Sequence, residues 1–287
     1  MPTDWQVYKN LVNLQSGYDA LLSGNPTPHE KYNAYKALLD ERWQADLLPV
    51  LSDLYWYPFR NGTNGIPEKK RALKGWLRKQ YEDPGAVALL LFLLLRYQVD
   101  AYNLGGQIGL DFLGIDGRFE LRNAGILATL DEHARGLVTQ GTTHSLIDTT
   151  IDELSEAIPE ARSGNKSLLI ALAAFIGRRS AERTVTIERT ERPYQVGSAQ
   201  DEVYQRNGLR YKMYDVAGIG CKKICAPWHG QIFEVGRYRN LIPQHPNCDC
   251  VWTPARYNGQ TIGVPPVTIN APFLPPWQPP ASAWTGA

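Results

Sequence analysis

Helical periodicity dominates the N-terminal part of the chain. Thr27 can cap a helix, Pro28 suits the first helical turn, and Glu30 completes a capping box. Apolar side chains then recur at helical spacing toward Pro49, and a shorter apolar segment follows up to Tyr57. This pattern predicts a first helix that begins at Thr27 and Pro28 and runs toward Pro49.

A second, amphipathic helix is predicted after Pro67. Leu73 and Leu77 lie on its apolar face, and basic residues crowd the other faces. The basic patch consists of Lys69, Lys70, Arg71, Lys74, Arg78 and Lys79. Such a patch can meet DNA or an acidic partner, although the same pattern is typical of a solvated helix face.

The longest apolar run, from Ala86 to Leu95, predicts a buried helix. Asp83 and Pro84 precede the run as a cap and a first-turn proline, and apolar residues cover every side of the helix. Arg96 stops the run well short of the roughly 20 residues that cross a bilayer. We therefore expect a core helix and no membrane anchor.

Further helices are predicted in the middle of the chain. Asn123 can cap one of them, and two more are predicted from Thr149 to Ile158 and from Leu168 to Ile176. Helical spacing persists in places from Arg178 to Gly208, where Pro193 predicts a kink or a break.

The composition is that of a globular chain with balanced charge. The chain has 287 residues, of which 43% are hydrophobic and 21% are charged, which is enough for one or two cored domains. Lys and Arg number 30 and Asp and Glu number 29, so broad electrostatic binding to nucleic acid is not expected. The first residues lack the basic start and apolar middle of a signal peptide, so no secretory signal is expected.

All four cysteines lie between Tyr214 and Thr253. Three residues separate Cys221 from Cys225, and one residue separates Cys248 from Cys250. Two such pairs from separate loops can supply the four ligands of a structural zinc site.

Two histidines lie in the same stretch. His245 precedes Cys248 by the two-residue gap that zinc sites often use, and His229 is a sixth candidate ligand. Between the cysteine pairs, the residues from Gly230 to Val235 predict a turn that leads into a short alternating strand.

Three chemical states fit the cysteine group. The first is a structural zinc site. The second is one or two disulfides that cross from Cys221 or Cys225 to the second pair, because a bridge between Cys248 and Cys250 would be strained. A reducing cytosol disfavours such bonds. The third is a group of free, buried thiols.

The cysteine pair, the Gly-x-Ile-Phe turn and the run Pro-Gln-His-Pro-Asn-Cys-Asp-Cys from Pro243 to Cys250 form one pattern. This pattern resembles the C-terminal motif of the tailed-phage head morphogenesis proteins, the Mu F-like minor head proteins. The first cysteine gap is three residues where the family usually has two, and Asp249 stands where the family usually has Arg. Arg189-Thr190-Glu191 matches a second element of that family, and the resemblance covers roughly residues 101 to 254.

Proline dominates the chain beyond Pro254. Seven prolines lie between positions 265 and 280, together with Phe273, Trp277 and Trp284. This composition predicts an extended, polyproline-like tail that has no core of its own. The aromatic residues favour docking along another protein surface, such as a second copy or the portal, and a disordered end is the alternative.

We therefore predict a mainly α-helical domain followed by a small α+β cysteine-motif module and an extended proline-rich tail. The predicted division is an N-terminal helical segment at residues 1–65, an α-helical core domain at 66–209, the Cys/His-containing module at 210–256 and the tail at 257–287.

The resemblance implies a structural virion protein without an active site. Such a protein would bind the phage portal or the major capsid protein on the inner face of the capsid during head assembly in the host cytoplasm. Self-association, contact with packaged DNA and ejection with the genome are further expectations. Cys221, Cys225, Cys248 and either Cys250 or His245 would hold a structural zinc ion.

Two other functional classes are compatible with the sequence. One is a zinc-dependent hydrolase carried in the virion, in which His229 or Asp249 would complete an open metal site. The other is a DNA-binding packaging factor that uses the basic patch. The sequence has no nucleophile elbow, phosphate loop or His-Glu-x-x-His motif, so we expect no enzymatic activity.

Overall fold

The computed structural model describes residues 28–60, 65–83, 85, 87–139, 145–164, 167–216, 224–238, 241–243, 248, 250–257 and 260–261. Most of the described residues are helical, and a small antiparallel sheet lies near the C-terminal end. The α-helices are α1 (Pro28–Trp56), α2 (Lys70–Gln80), α3 (Ala88–Leu113), α4 (Ala124–Val138), α5 (Leu146–Ser163) and α6 (Leu168–Arg206). The strands are β1 (Tyr211–Asp215), β2 (Ile232–Glu234), β3 (Val251–Pro254), β4 (Arg256–Tyr257) and β5 (Gln260–Thr261). This confirms the predicted mainly helical architecture.

Helices α3 and α6 pack side by side in the same direction. The Tyr97 hydroxyl donates to the carbonyl oxygen of Glu188 at 3.2 Å, and the Tyr102 hydroxyl donates to the carboxylate of Glu202. Residues later in α3 thus contact residues later in α6, so the two helices run parallel.

Helix α1 runs antiparallel to α3. Lys31 near the start of α1 lies 3.4 Å from Asp111 near the end of α3. Arg42, further along α1, lies 3.9 Å from Asp100, earlier in α3. Side chains of α1, α3 and α6 fill one hydrophobic core, and Val251 of β3 also packs in it. The predicted N-terminal segment and the predicted helical core domain thus share a core.

Two helices continue through a proline at which the sequence did not predict a continuous helix. Helix α1 continues through Pro49 to Trp56, and α6 continues through Pro193, which is buried. Of the kink or break predicted at Pro193, the break is therefore wrong, and the two segments predicted around residues 168–208 form one helix. A proline removes one backbone donor and costs about 3 kcal/mol in a helix interior, so packing along both sides of α6 must outweigh this cost.

The antiparallel sheet has the strand order β2-β1-β3. Central strand β1 pairs Lys212 with Phe233 of β2 and Tyr214 with Trp252 of β3. Strands β4 and β5 form a separate two-stranded ribbon. The predicted strand after Gly230 is confirmed as β2.

No helix in the described part of the chain is long and apolar enough to span a membrane. The tail predicted at residues 257–287 begins within the β4-β5 ribbon, which extends to Thr261, and the part beyond Thr261 lies outside the described residues.

Candidate metal centre

Two separate segments bring cysteines to one end of the sheet. Cys225 precedes a 3-10 turn at Ala226–Trp228, between β1 and β2. Cys248 and Cys250 lie immediately before β3, and Val251 at the start of that strand pairs with Asp215 of β1. Strand pairing therefore fixes the position of the second cysteine segment relative to β1.

The three cysteines converge in the interior. Cys225, Cys248 and Cys250 are fully buried, and their sulfur atoms all lie within 4.8 Å of one another. The Sγ atoms of Cys225 and Cys248 are 3.8 Å apart. Two thiolates that bind one tetrahedral metal at about 2.3 Å place their sulfur atoms about 3.8 Å apart. The three cysteines can therefore hold a metal ion.

Aromatic residues surround the thiols. Tyr214 and Trp252, which pair across β1 and β3, contact each other edge to face with ring centroids 5.5 Å apart, and both are fully buried. Burial raises the pKa of Tyr214, and the nearby Cys248 and Cys250 raise it further. A neutral phenol beside the thiols adds no negative charge to a site that would already hold several thiolates.

The remaining predicted ligands are not part of the described cluster. Cys221, His245 and Asp249 lie outside the described residues. The imidazole of His229 is 57% exposed, and its Nδ1 accepts a hydrogen bond from the Val216 N–H at 3.2 Å. His229 therefore does not join the three cysteines, contrary to its place as a sixth candidate.

The basic patch on α2 is partly neutralised by acidic residues of α5. Lys74 forms an ion pair with Asp152 at 2.7 Å, and Lys70 forms one with Glu156. Arg78 and the exposed Lys69, Arg71 and Lys79 complete the predicted patch. The predicted tail residues Phe273, Trp277 and Trp284 lie outside the described residues.

Sequence reasoning missed the contacts that hold β3 against helix α6. Gln200 and Tyr204 of α6 hydrogen-bond the backbone of Trp252, and Asp201 pairs with Lys212 of β1. The alternation in β1 offered a signal, because it places Lys212 on the same strand face as Tyr214. A lysine on that face needs a buried acidic partner, which the sequence alone does not identify.

No protein-family model, curated protein or solved structure matches this chain significantly.

Proposed function

We propose that this chain is a structural virion protein of a tailed phage, of the minor head or head morphogenesis type. It binds the portal or the inner face of the capsid during assembly, and a structural zinc ion ties its C-terminal module together. The proposal is supported by the resemblance of the cysteine stretch to the Mu F-like motif. The observation that carries it is the convergence of Cys225 with Cys248 and Cys250, which come from the two halves of that motif.

Zinc is the metal that best suits this donor set. Several thiolates in a small module are typical of structural zinc sites, whose fourth ligand completes a tetrahedron. Cys221 or His245, which the sequence places next to the cluster, would supply that ligand. All three described sulfur atoms are buried, so the metal would have a structural role.

Metal content tests the proposed zinc site. We expect the protein purified under reducing conditions to contain close to one zinc per chain and to show cysteines that react with a thiol reagent only after chelation. The double variant Cys248→Ser/Cys250→Ser should lose the metal. A metal-free chain whose folded module is insensitive to chelators would contradict the zinc site.

Co-assembly tests the proposed role in the head. The chain should co-sediment with proheads when it is produced together with its phage's portal and major capsid proteins. We expect the Cys248→Ser/Cys250→Ser variant to be incorporated less well, because its C-terminal module is loosened. A chain that stays out of proheads containing the portal would refute the assembly role even if it binds zinc.

A further inference from the structure

Three contacts hold the strand that follows the cysteines, all on Trp252: two come from helix α6 and the third comes from Lys212 of β1. The Gln200 side-chain oxygen accepts a hydrogen bond from the Trp252 N–H at 3.1 Å, and the Tyr204 hydroxyl donates to its carbonyl oxygen at 2.8 Å. The ammonium group of Lys212 lies 4.0 Å from the centre of the Trp252 ring. Trp252 is only two residues beyond Cys250, so these contacts fix the chain next to two of the three sulfur atoms.

The third contact depends on an ion pair with no solvent exposure. Lys212 Nζ lies 2.6 Å from Asp201 Oδ1, and both side chains are fully buried. The Gly236 N–H donates to both carboxylate oxygens of Asp201, at 3.0 and 3.1 Å. Asp201 thus connects α6 to the central strand and to the turn after β2.

This ion pair is better suited to specifying geometry than to adding stability. Removing two charges from water is costly, and apolar residues of similar volume are often at least as stable in such places. Apolar contacts are not directional, whereas the three hydrogen bonds that Asp201 accepts from Lys212 and Gly236 set the position of β1 along α6. The same face of β1 carries Tyr214, whose phenol lies beside the thiols.

We propose that Asp201 and Lys212 are positioning residues of the metal centre, and that they orient the cysteines by fixing Trp252 and β1 against α6. This inference rests on the proposed metal site. Groups that orient metal ligands from outside the ligand set typically change metal affinity by about 10- to 100-fold when they are removed.

Metal affinity and cobalt spectroscopy test the inference in the full chain. Lys212→Met keeps the aliphatic stem on Trp252 but removes the charge, and Asp201→Asn keeps an acceptor for Gly236. We expect each variant to bind Zn²⁺ about 10-fold or more weakly, with an altered Co²⁺ thiolate absorption band. Lys212→Arg, which restores the charge, should recover much of the affinity.

Lys74→Met is the matched control. It removes an ion pair of similar length, 2.7 Å to Asp152, but that pair joins a half-buried lysine to an exposed aspartate and lies on the helical domain far along the chain from the cysteines. Its Zn²⁺ affinity and Co²⁺ spectrum should equal those of the wild type.

The outcomes separate the two proposals. If Lys212→Met and Asp201→Asn lower only the free energy of unfolding and keep wild-type Zn²⁺ affinity and Co²⁺ spectrum, the pair is purely structural and the inference is wrong. If Lys212→Met does not fold, the Zn²⁺ affinity and the Co²⁺ spectrum of Asp201→Asn and Lys212→Arg test the inference in its place. A wild-type chain that takes up neither Zn²⁺ nor Co²⁺ removes the metal centre itself.

Discussion

At the scale of single residues, one glycine sets the distance between the two central helices. A Cβ atom on Gly105 of α3 would lie 2.4 Å from the carbonyl oxygen and 2.6 Å from the Cα of Val196 in α6. Backbone atoms cannot move away as a flexible side chain can. We expect Gly105→Ala to lower the free energy of unfolding by about 1–3 kcal/mol, measured by denaturant titration followed by circular dichroism.

A second glycine provides the control for this prediction. Gly177 is an exposed residue within α6, and a Cβ atom there would meet nothing within 4 Å. Gly177→Ala should therefore raise stability by up to about 1 kcal/mol, because alanine is the better helix former. Stabilisation by both substitutions would show that α3 and α6 are not in close backbone contact.

His133 provides a pH-dependent contribution to stability. Its Nε2 lies 2.7 Å from the buried carboxylate of Glu191. Burial alone would lower the pKa of His133, but the charge and the hydrogen bond of Glu191 outweigh it and raise the pKa above 6.5. The stabilising contribution of the pair is therefore fully present below pH 6.5 and is lost as the pH rises through the folded-state pKa.

His133→Gln isolates this contribution. The wild type should exceed the variant in unfolding free energy by up to about 1 kcal/mol at pH 6, since His133 is partly exposed, and by less at pH 8. Burial raises the pKa of Asp40 to about 7, which also alters stability with pH, but this effect is common to both proteins and cancels in the difference. A difference that grows with pH would contradict the assigned role of Glu191.

At the scale of secondary structure elements, two serines begin helices with different capping. Ser145 precedes α5, and its hydroxyl oxygen accepts a hydrogen bond from the Asp148 N–H at 3.0 Å. Ser167 precedes α6 and makes no such capping bond. We expect Ser145→Ala to cost about 1 kcal/mol of unfolding free energy, and Ser167→Ala to change it little. Equal losses in thermal unfolding of the two variants would argue against the assigned cap.

One predicted helix start is confirmed, because capping is local chemistry, and another is wrong: Asp83 was predicted to cap the apolar helix, but α3 begins at Ala88 and its N-cap residue is Val87. Asn123 was predicted to cap a helix, and its side chain accepts hydrogen bonds from the Gly125 and Ile126 N–H groups. The continuity of α6 through Pro193 was not predictable, since it depends on burial by elements distant in the sequence.

In the candidate site, too, the features set by local sequence were predictable and those set by distant contacts were not. The convergence of Cys225, Cys248 and Cys250 was predictable from their spacing, because metal-ligand pairs follow short sequence patterns. The contacts between α6 and β1 that we propose position this cluster were not predictable. Asp201 and Lys212 meet only because β1 folds back on the end of α6, and no local pattern records that contact.

At the scale of the whole molecule, the small sheet is joined to the helical domain through two hydrophobic cores. Val251 of β3 packs in the main core with helices α1, α3 and α6. Its neighbour Trp252 packs in the second core with the three cysteines and with Val203 and Tyr204 from the end of α6. Changes at the candidate metal centre should therefore reach the C-terminal end of α6 before they reach the rest of the bundle.

Hydrogen exchange after metal removal measures this coupling. We expect chelation to speed amide exchange in β1, in β3 and in α6 from Gln200 to Arg206, because the proposed metal would no longer link the cysteines that pack with these segments in the second core. Amides of α3 and of α6 before Ile187 should stay protected, since the main core contains no cysteine. The Cys248→Ser/Cys250→Ser variant should already show the fast pattern and should not respond to the chelator. A uniform rise in exchange across α3 and α6 would mean that the metal stabilises the chain globally and that the sheet and the bundle unfold as one unit.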